Sequence, residues 1–257
     1  MTDHGMYLAF PAFEALGWVR HGFSTRRGGV SRGELATLNL GLHRGDEPEN
    51  VRENRRRICR ALGVDPKRMT GVHQVHSTRV LRAEAPFAEI PEADGLVTDV
   101  PGLVLTTSHA DCTPLFLADP VHRAIGLAHA GWRGTGNGMA GELVRAMKEN
   151  YGSRPEELWG GIGPAIGPCC YQVGEDVAEA FRNRGFGEQF LKPDAQPGKY
   201  LADLWGLNRA VWLECGLRPE QIQVAGICTR EHPETFFSHR YQGERRGTML
   251  AFLAITE

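Results

Sequence analysis

Histidine and cysteine gather in the middle third of the sequence, where three short segments carry side chains able to hold a metal or act as a nucleophile. His73 and His76 lie in GVHQVHS, His109 and Cys112 in SHADCTPLF, and His129 opens HAGWRGT. Imidazole nitrogen and thiolate sulfur form a borderline-soft donor set that suits Zn²⁺, and copper tolerates the same donors. A site with three protein ligands keeps its fourth position open for water or substrate, as a catalytic metal requires. The spacing matches no familiar zinc pattern: CxxC, HExxH, and HxE followed by PCxxC are absent. Residue types alone leave two readings, a His/Cys/His metal site or hydrogen-bonded core histidines around a buried thiol. On an extended strand His73 and His76, three apart, point to opposite faces, so one of them faces a given pocket. The same alternation turns Asp111 away from Cys112, toward a structural role. Asn39 and His109 are further near-site candidates, while Cys59, Cys169, Cys170, Cys215 and Cys228 read as buried thiols, with Cys169 and Cys170, after a Gly-Pro-rich turn, alternatively approaching the site.

The second group of chemistry-bearing residues is cationic. Of 29 basic residues 25 are arginine, whose planar fork suits carboxylates and phosphates. The turn Arg26-Arg27-Gly28-Gly29-Val30-Ser31 offers glycine amides and the Ser31 hydroxyl to an anion, or is a polar surface turn. Arg44 sits in LHRGD. Arg55 lies on the apolar stripe of the helix Glu49–Leu62, with Val51, Ile58 and Leu62. A cation there is costly unless it is paired, faces a cleft or snorkels at the stripe's edge. Arg133 is four residues from His129, where it touches the site or stacks on Trp132.

Around these groups the chain reads as many short elements. Further helices are expected over about Gly138–Asn150, Val173–Arg184 and Asp203–Cys215, the last behind an aspartate cap. Strand character marks Gly95–Asp99, Leu103–Thr107, Thr113–Leu117, Ile125–His129, Gln223–Ile227 and Met249–Ile255. That alternation implies a mixed α/β or α+β fold with buried sheets. A net charge of −2 over 257 residues argues against a dedicated nucleic-acid binder, which needs a marked basic excess. No stretch approaches the roughly 18 apolar residues of a membrane span. No signal-like segment opens the chain, and an adjacent Cys169-Cys170 pair is unlike a disulfide framework, so a cytoplasmic protein with free thiols is expected.

QVHS (74–77), ADGLVTD (93–99), HADCTPLFLAD (109–119), AHAGWRGT (128–135) and GIGPAIGPCCYQV (161–173) together give the sequence a specific resemblance. It resembles the laccase-domain family, historically called multicopper polyphenol oxidases and regarded as purine nucleoside phosphorylases. FSTRRGGVS (23–31), LNLGLHRGD (38–46) and FFSHR (236–240) extend the match over nearly the whole chain, 1–257 as one domain. The resemblance implies a single-domain α+β fold, an α/β/β/α layered sandwich with mixed β-sheets. It implies zinc at His76, Cys112 and His129, and a site lined by Arg44 and Arg55, with Ser31 as a further phosphate-binding candidate. The implied activity is phosphorolysis of adenosine, inosine, guanosine and S-methyl-5′-thioadenosine, with adenosine deamination. The implied partners are small-molecule nucleosides and phosphate, with no nucleic acid or membrane, acting as a monomer or small homo-oligomer. After FFSHR the family continues with an Arg-Asp/Glu-Gly run, whereas this chain reads Tyr241-Gln242-Gly243.

Two other enzyme classes compete. A copper-dependent polyphenol oxidase needs several coppers and many histidines, but the chain has 10 and no HxH pair. A cysteine hydrolase would use Cys112 as nucleophile and His129 as base.

Overall fold

The computed structural model describes residues 1–185 and 187–256. Its centre is the run MLAFLAI, which forms strand β15 (Met249–Ile255), buried at every residue. A continuous apolar strand without polar alternation must be covered on both faces. Accordingly Met249, Ala251, Leu253 and Ile255 join the core between two sheets, while Leu250, Phe252 and Ala254 pack on the opposite side with Ile58 and Leu62. β15 lies between β3 (Val19–Ser24) and β7 (Val104–His109), antiparallel to both. The sheet is completed by β1 (Thr2–Asp3), β2 (Tyr7–Ala9) and β4 (Met69–Thr70), in the order β1-β2-β3-β15-β7-β4.

The second sheet also has six strands. Its order is β14 (Ile222–Val224), β10 (Trp159–Ile162), β8 (Thr113–Asp119), β9 (Ala124–Ala130), β6 (Gly95–Thr98) and β5 (Val80–Arg82). Both sheets are mixed: β4–β7, β5–β6 and β10–β14 are parallel pairs among antiparallel ones. Phe116, Ile125 and Leu127 of this sheet meet Phe23, Leu105 and Leu253 of the first in a shared core. A third, small sheet joins β11 (Gln172–Val173), β13 (Tyr200–Ala202) and β12 (Leu191–Pro193).

Helices close the outer faces. α1 (Pro11–Ala15) is a single turn, and α2 (Pro48–Leu62) covers the first sheet. Its first turn takes Pro48, and it stops at Gly63 in the left-handed conformation, φ 69°. α3 (Trp132–Gly136) follows β9, and α4 (Met139–Tyr151) with α6 (Leu204–Glu214) covers the second sheet. The Asp203 carboxylate accepts from Gly206 N at 2.9 Å and caps α6. α5 (Glu175–Arg182) packs on the small sheet, and α7 (His239–Gln242) is one turn. The layers therefore run α/β/β/α, as the resemblance implied. Among the described residues no helix is long and apolar enough to cross a membrane.

Two elements differ from expectation. The helix expected from Val173 begins at Glu175, because Val173 pairs with Tyr200 as strand and Gly174 breaks between them. The strand expected over 223–227 spans Ile222–Val224, since Gly226 takes φ 63°. Phe252 is 1% exposed and packs against α2, so Phe252→Ala is expected to destabilise by about 3–5 kcal/mol. Urea unfolding monitored by circular dichroism checks this; a loss below about 1 kcal/mol would contradict the packing.

Candidate metal centre and anion pocket

The chain crosses from the first sheet to the second through a three-residue turn, Ala110-Asp111-Cys112, between β7 and β8. Asp111 has φ 88°, and its carboxylate accepts from Thr229 Oγ1 (2.6 Å), Ser238 Oγ (3.0 Å) and Arg240 N (2.7 Å). Those bonds fix a residue in the left-handed region and aim its neighbour, Cys112, into the seam between the sheets. Asp111 is thus structural, as expected, but through this turn and not through strand alternation. On the neighbouring strand β9, His129 stands opposite Pro114 of β8, and its N–H donates to Asp94 O at 2.7 Å.

Asp94 is fully buried at the start of β6. Its carboxylate accepts from His129 Nδ1 (2.9 Å), from the backbone N–H of Val75, His76 and Ser77, and from Ser77 Oγ. Burial pushes its carboxyl up, but bonds from His129 and Ser77 prevail and hold it below the usual carboxylate range. The same carboxylate therefore orients His129, freeing Nε2, and folds the segment that presents His76. His76 sits in a bend at φ 59°, and His73 in an isolated bridge with Glu92. GVHQVHS is not a strand, so the opposite-face argument fails: both histidines line one cavity, and only His76 joins Cys112 and His129.

The donor atoms of His76, Cys112 and His129 all lie within 4.8 Å of one another, with His76 Nε2 at 4.0 Å from Cys112 Sγ. A Cβ on Gly131 would stand 2.8 Å from His76 Cδ2 and 3.1 Å from Cys112 Sγ, so glycine leaves room behind the triplet. This donor set fits one ion of the zinc class, with the fourth side facing the cavity. Burial opposes ionisation of Cys112, but the His129 charge and hydrogen bonds from His129 and His76 outweigh it and bring the thiol down to about 6. Against the burial of His129, the Cys112 charge and the Asp94 bond bring its imidazole up to about 9. His109 is not a donor: its ring nitrogens meet Cys112 O at 3.0 Å and Thr107 Oγ1 at 2.8 Å.

The cavity encloses about 710 Å³ and extends from the triplet toward α2. Arg44, Arg55 and Arg246 line it. Arg55 donates to Leu40 O through Nε (3.2 Å) and Nη2 (3.0 Å), and burial lowers its pKa. Arg246 Nε is buried without a hydrogen-bond partner among the described residues. Neither has a carboxylate within ion-pair reach among those residues, whereas Arg44 lies 3.7 Å from the exposed Glu244. Leu42 and Ile90, 55% and 65% exposed, supply apolar surface with Val72 and Phe87.

Ser31 does not reach this cavity. Its hydroxyl donates to Asp46 (2.6 Å) and accepts from Asn54 (2.8 Å), in a buried set that also holds Asn39. An anionic carboxylate at hydrogen-bond distance repels phosphate, so Ser31 and Asn39 brace the loop before α2 instead. Arg133 stacks on Trp132, 4.1 Å from the ring centroid. Among the cysteines taken as buried thiols, Cys169 is exposed and Cys170 and Cys215 are partly so. Asp94 and Arg246 carry weight that sequence reasoning missed. Asp94 stood in a quoted motif, ADGLVTD; Arg246 gave no signal, being one of many arginines in a loop.

A layered α+β protein with donors for one metal ion beside a guanidinium-rich pocket is the class that fold and site define. The chain belongs to the family described as multi-copper polyphenol oxidoreductase laccase, whose model matches residues 20–256. Purine nucleoside phosphorylase YlmD of Geobacillus stearothermophilus is 37% identical over 95% of this chain and 96% of its own. A purine nucleoside phosphorylase of Deinococcus radiodurans is 42% identical, over 92% of this chain and 89% of its own. The crystal structure of Bacillus licheniformis hypothetical protein YfiH superposes with a TM-score of 0.92 at 32% identity, covering 99% and 98% of the two chains.

Two outcomes are expected. Asp94→Asn removes the orienting carboxylate and should weaken zinc binding roughly 10–100-fold in a chelator competition; unchanged affinity would remove Asp94 from that role. In metal-free protein at about pH 7, iodoacetamide should label Cys112 before Cys59, whose thiol burial pushes up to about 11. The thiolate fraction of Cys112 rises through about pH 6; labelling that starts only near pH 8.5, as for a free thiol, would contradict the charge pairing.

Proposed function

We propose that this protein is a purine nucleoside phosphorylase acting on adenosine, inosine, guanosine and S-methyl-5′-thioadenosine, with adenosine deamination at the same centre. The observation that carries the reading is one cavity holding a His/Cys/His triplet together with three arginines, two of them without an acidic partner among the described residues. Half-buried guanidinium groups without a carboxylate partner call for an anionic ligand. The names of the relatives point the same way.

In this reading Arg44, Arg55 and Arg246 hold inorganic phosphate, and Leu42, Val72, Phe87 and Ile90 offer apolar surface to the purine. A phosphate oxygen forms the bond to C1′ as the bond from C1′ to the purine nitrogen breaks. The electron pair leaves with the base, which takes up a proton, and the products are free purine and ribose-1-phosphate, or its 5-methylthio counterpart from S-methyl-5′-thioadenosine. Held under C1′ by fixed guanidinium groups, phosphate attacks without the entropy cost of a free encounter. A zinc ion held by His76, Cys112 and His129 would supply Lewis acidity and acidify a bound water, the chemistry deamination needs. The histidine supply favours one such ion over a multicopper oxidase: of the histidines lining the cavity two join the triplet, both nitrogens of His109 are engaged, and the rest, His73 among them, stand outside the group.

One observation favours a second reading. Cys112, His129 and Asp94 stand in series as thiol, imidazole and carboxylate, the arrangement of a cysteine hydrolase. Incubation with adenosine, with and without phosphate, separates the two. Phosphate-dependent adenine and ribose-1-phosphate, with inosine in both arms, are expected, and chelation should abolish inosine. No product from any of the four nucleosides would overturn the proposal, and chelator-insensitive hydrolysis lost in Cys112→Ala would favour the hydrolase. Arg55→Ala should raise the phosphate KM roughly 10–100-fold, the worth of a charge-assisted hydrogen bond, with zinc content intact. An unchanged KM would return Arg55 to a structural role.

A further inference from the structure

Away from the cavity, the segments 163–170 and 226–231 lie side by side, joined by a parallel bridge between Ala165 and Cys228. Thr229 N donates to Ala165 O at 3.0 Å, and Ala165 N to Ile227 O at 3.3 Å. This pairing brings the vicinal Cys169 and Cys170 against Cys228 and Glu231. Their three sulfur atoms and one carboxylate oxygen all lie within 4.8 Å of one another. Ligands on a tetrahedral zinc with Zn–S of about 2.3 Å stand roughly 3.8 Å apart, so modest closure would complete the shell.

The surroundings fit a charged centre. Gly167 N–H points at Cys228 Sγ at 3.3 Å, and Arg230 Nη1 lies 3.4 Å from Cys170 Sγ. A donor N–H and a guanidinium aimed at sulfur stabilise thiolate over thiol. The Cys169 thiol is directed at Glu231, 3.1 Å away, so its proton sits where an ion would replace it. All three cysteines are free, with Cys228 buried and Cys169 at the surface, which gives an ion an entry path. We propose that Cys169, Cys170, Cys228 and Glu231 form a second zinc site, distinct from the triplet in the cavity. Four protein ligands leave no open position, the mark of a structural ion, and the carboxylate favours zinc over copper(I), which prefers soft donors throughout. On binding, each coordinating thiol releases its proton to solvent as its zinc–sulfur bond forms.

The site braces the catalytic turn. Both linked segments contact Asp111: Ile166 N donates to its carbonyl at 2.9 Å and Thr229 Oγ1 to its carboxylate at 2.6 Å. Holding 163–170 against 226–231 therefore holds the residue that precedes Cys112.

Metal analysis tests this independently of any activity. Full-length protein, reduced, equilibrated with zinc and desalted, should carry about two zinc ions per chain; Cys112→Ser and Cys169→Ser should each carry about one. Cys169→Ser changes an exposed side chain, and circular dichroism should show the wild-type spectrum. In Cys112→Ser loaded with cobalt(II), the cavity site has no sulfur, so a thiolate-to-cobalt charge-transfer band should persist and lose intensity on adding Cys169→Ser, which removes one of the three sulfurs. A single zinc per wild-type chain that Cys169→Ser leaves in place would overturn the proposal. So would a cobalt spectrum of Cys112→Ser without the charge-transfer band.

Discussion

The Asp94 carboxylate is the interaction on which the candidate centre depends. A buried carboxylate costs several kcal/mol to desolvate unless its oxygens are fully engaged. Here five donors engage them, three backbone N–H groups, a serine hydroxyl and the His129 imidazole. The arrangement is reciprocal. Without Asp94 the segment 75–77 has no partner for its amides, and without that segment the carboxylate is underpaired. One group thereby sets the conformation of His76 and the orientation of His129, on elements distant in sequence.

Asp111 does for Cys112 what Asp94 does for the histidines. It binds three residues from the last third of the chain, Thr229, Ser238 and Arg240, to a turn that joins the two sheets. The departure from the family pattern at Tyr241-Gln242-Gly243 falls after these contacts, in the short α7 and the turn behind it. The contacts to Asp111 come from Ser238 Oγ and the Arg240 backbone, and Gln242 joins the brace through Oε1, which accepts from Ser238 N at 3.3 Å.

A mixed fold with buried sheets was legible because the strongest patterns were hydrophobic, while the α/β/β/α layering came only through the family resemblance. MLAFLAI announced a strand buried on both faces, and the stripe of α2 announced its cover. The three donors were legible through motifs, and Arg55 through the cost of a cation on an apolar stripe. Readings that rested on local geometry fared worse. GVHQVHS looks extended, yet Asp94 gathers its amides into a bend, a tertiary contact that propensity does not contain. Ser31 looked like an anion ligand because its partners, Asp46 and Asn54, are 15 and 23 residues away in sequence. Cys169, Cys170 and Cys228 read as separate thiols, since a bridge between Ala165 and Cys228 leaves no trace in spacing.

The cavity draws its donors and its cations from opposite sides of the sandwich. His76, Cys112 and His129 belong to the ends of the second sheet and the crossing into it, whereas Arg55 rides on the helix covering the first. The two halves share no side-chain hydrogen bond among those described. Each can therefore change on its own: substitutions along α2 and the loop before β15 can alter the arginine-lined side while His76, Cys112 and His129 stay untouched. A scaffold divided in this way can remodel its cationic side without rebuilding the His76/Cys112/His129 triplet.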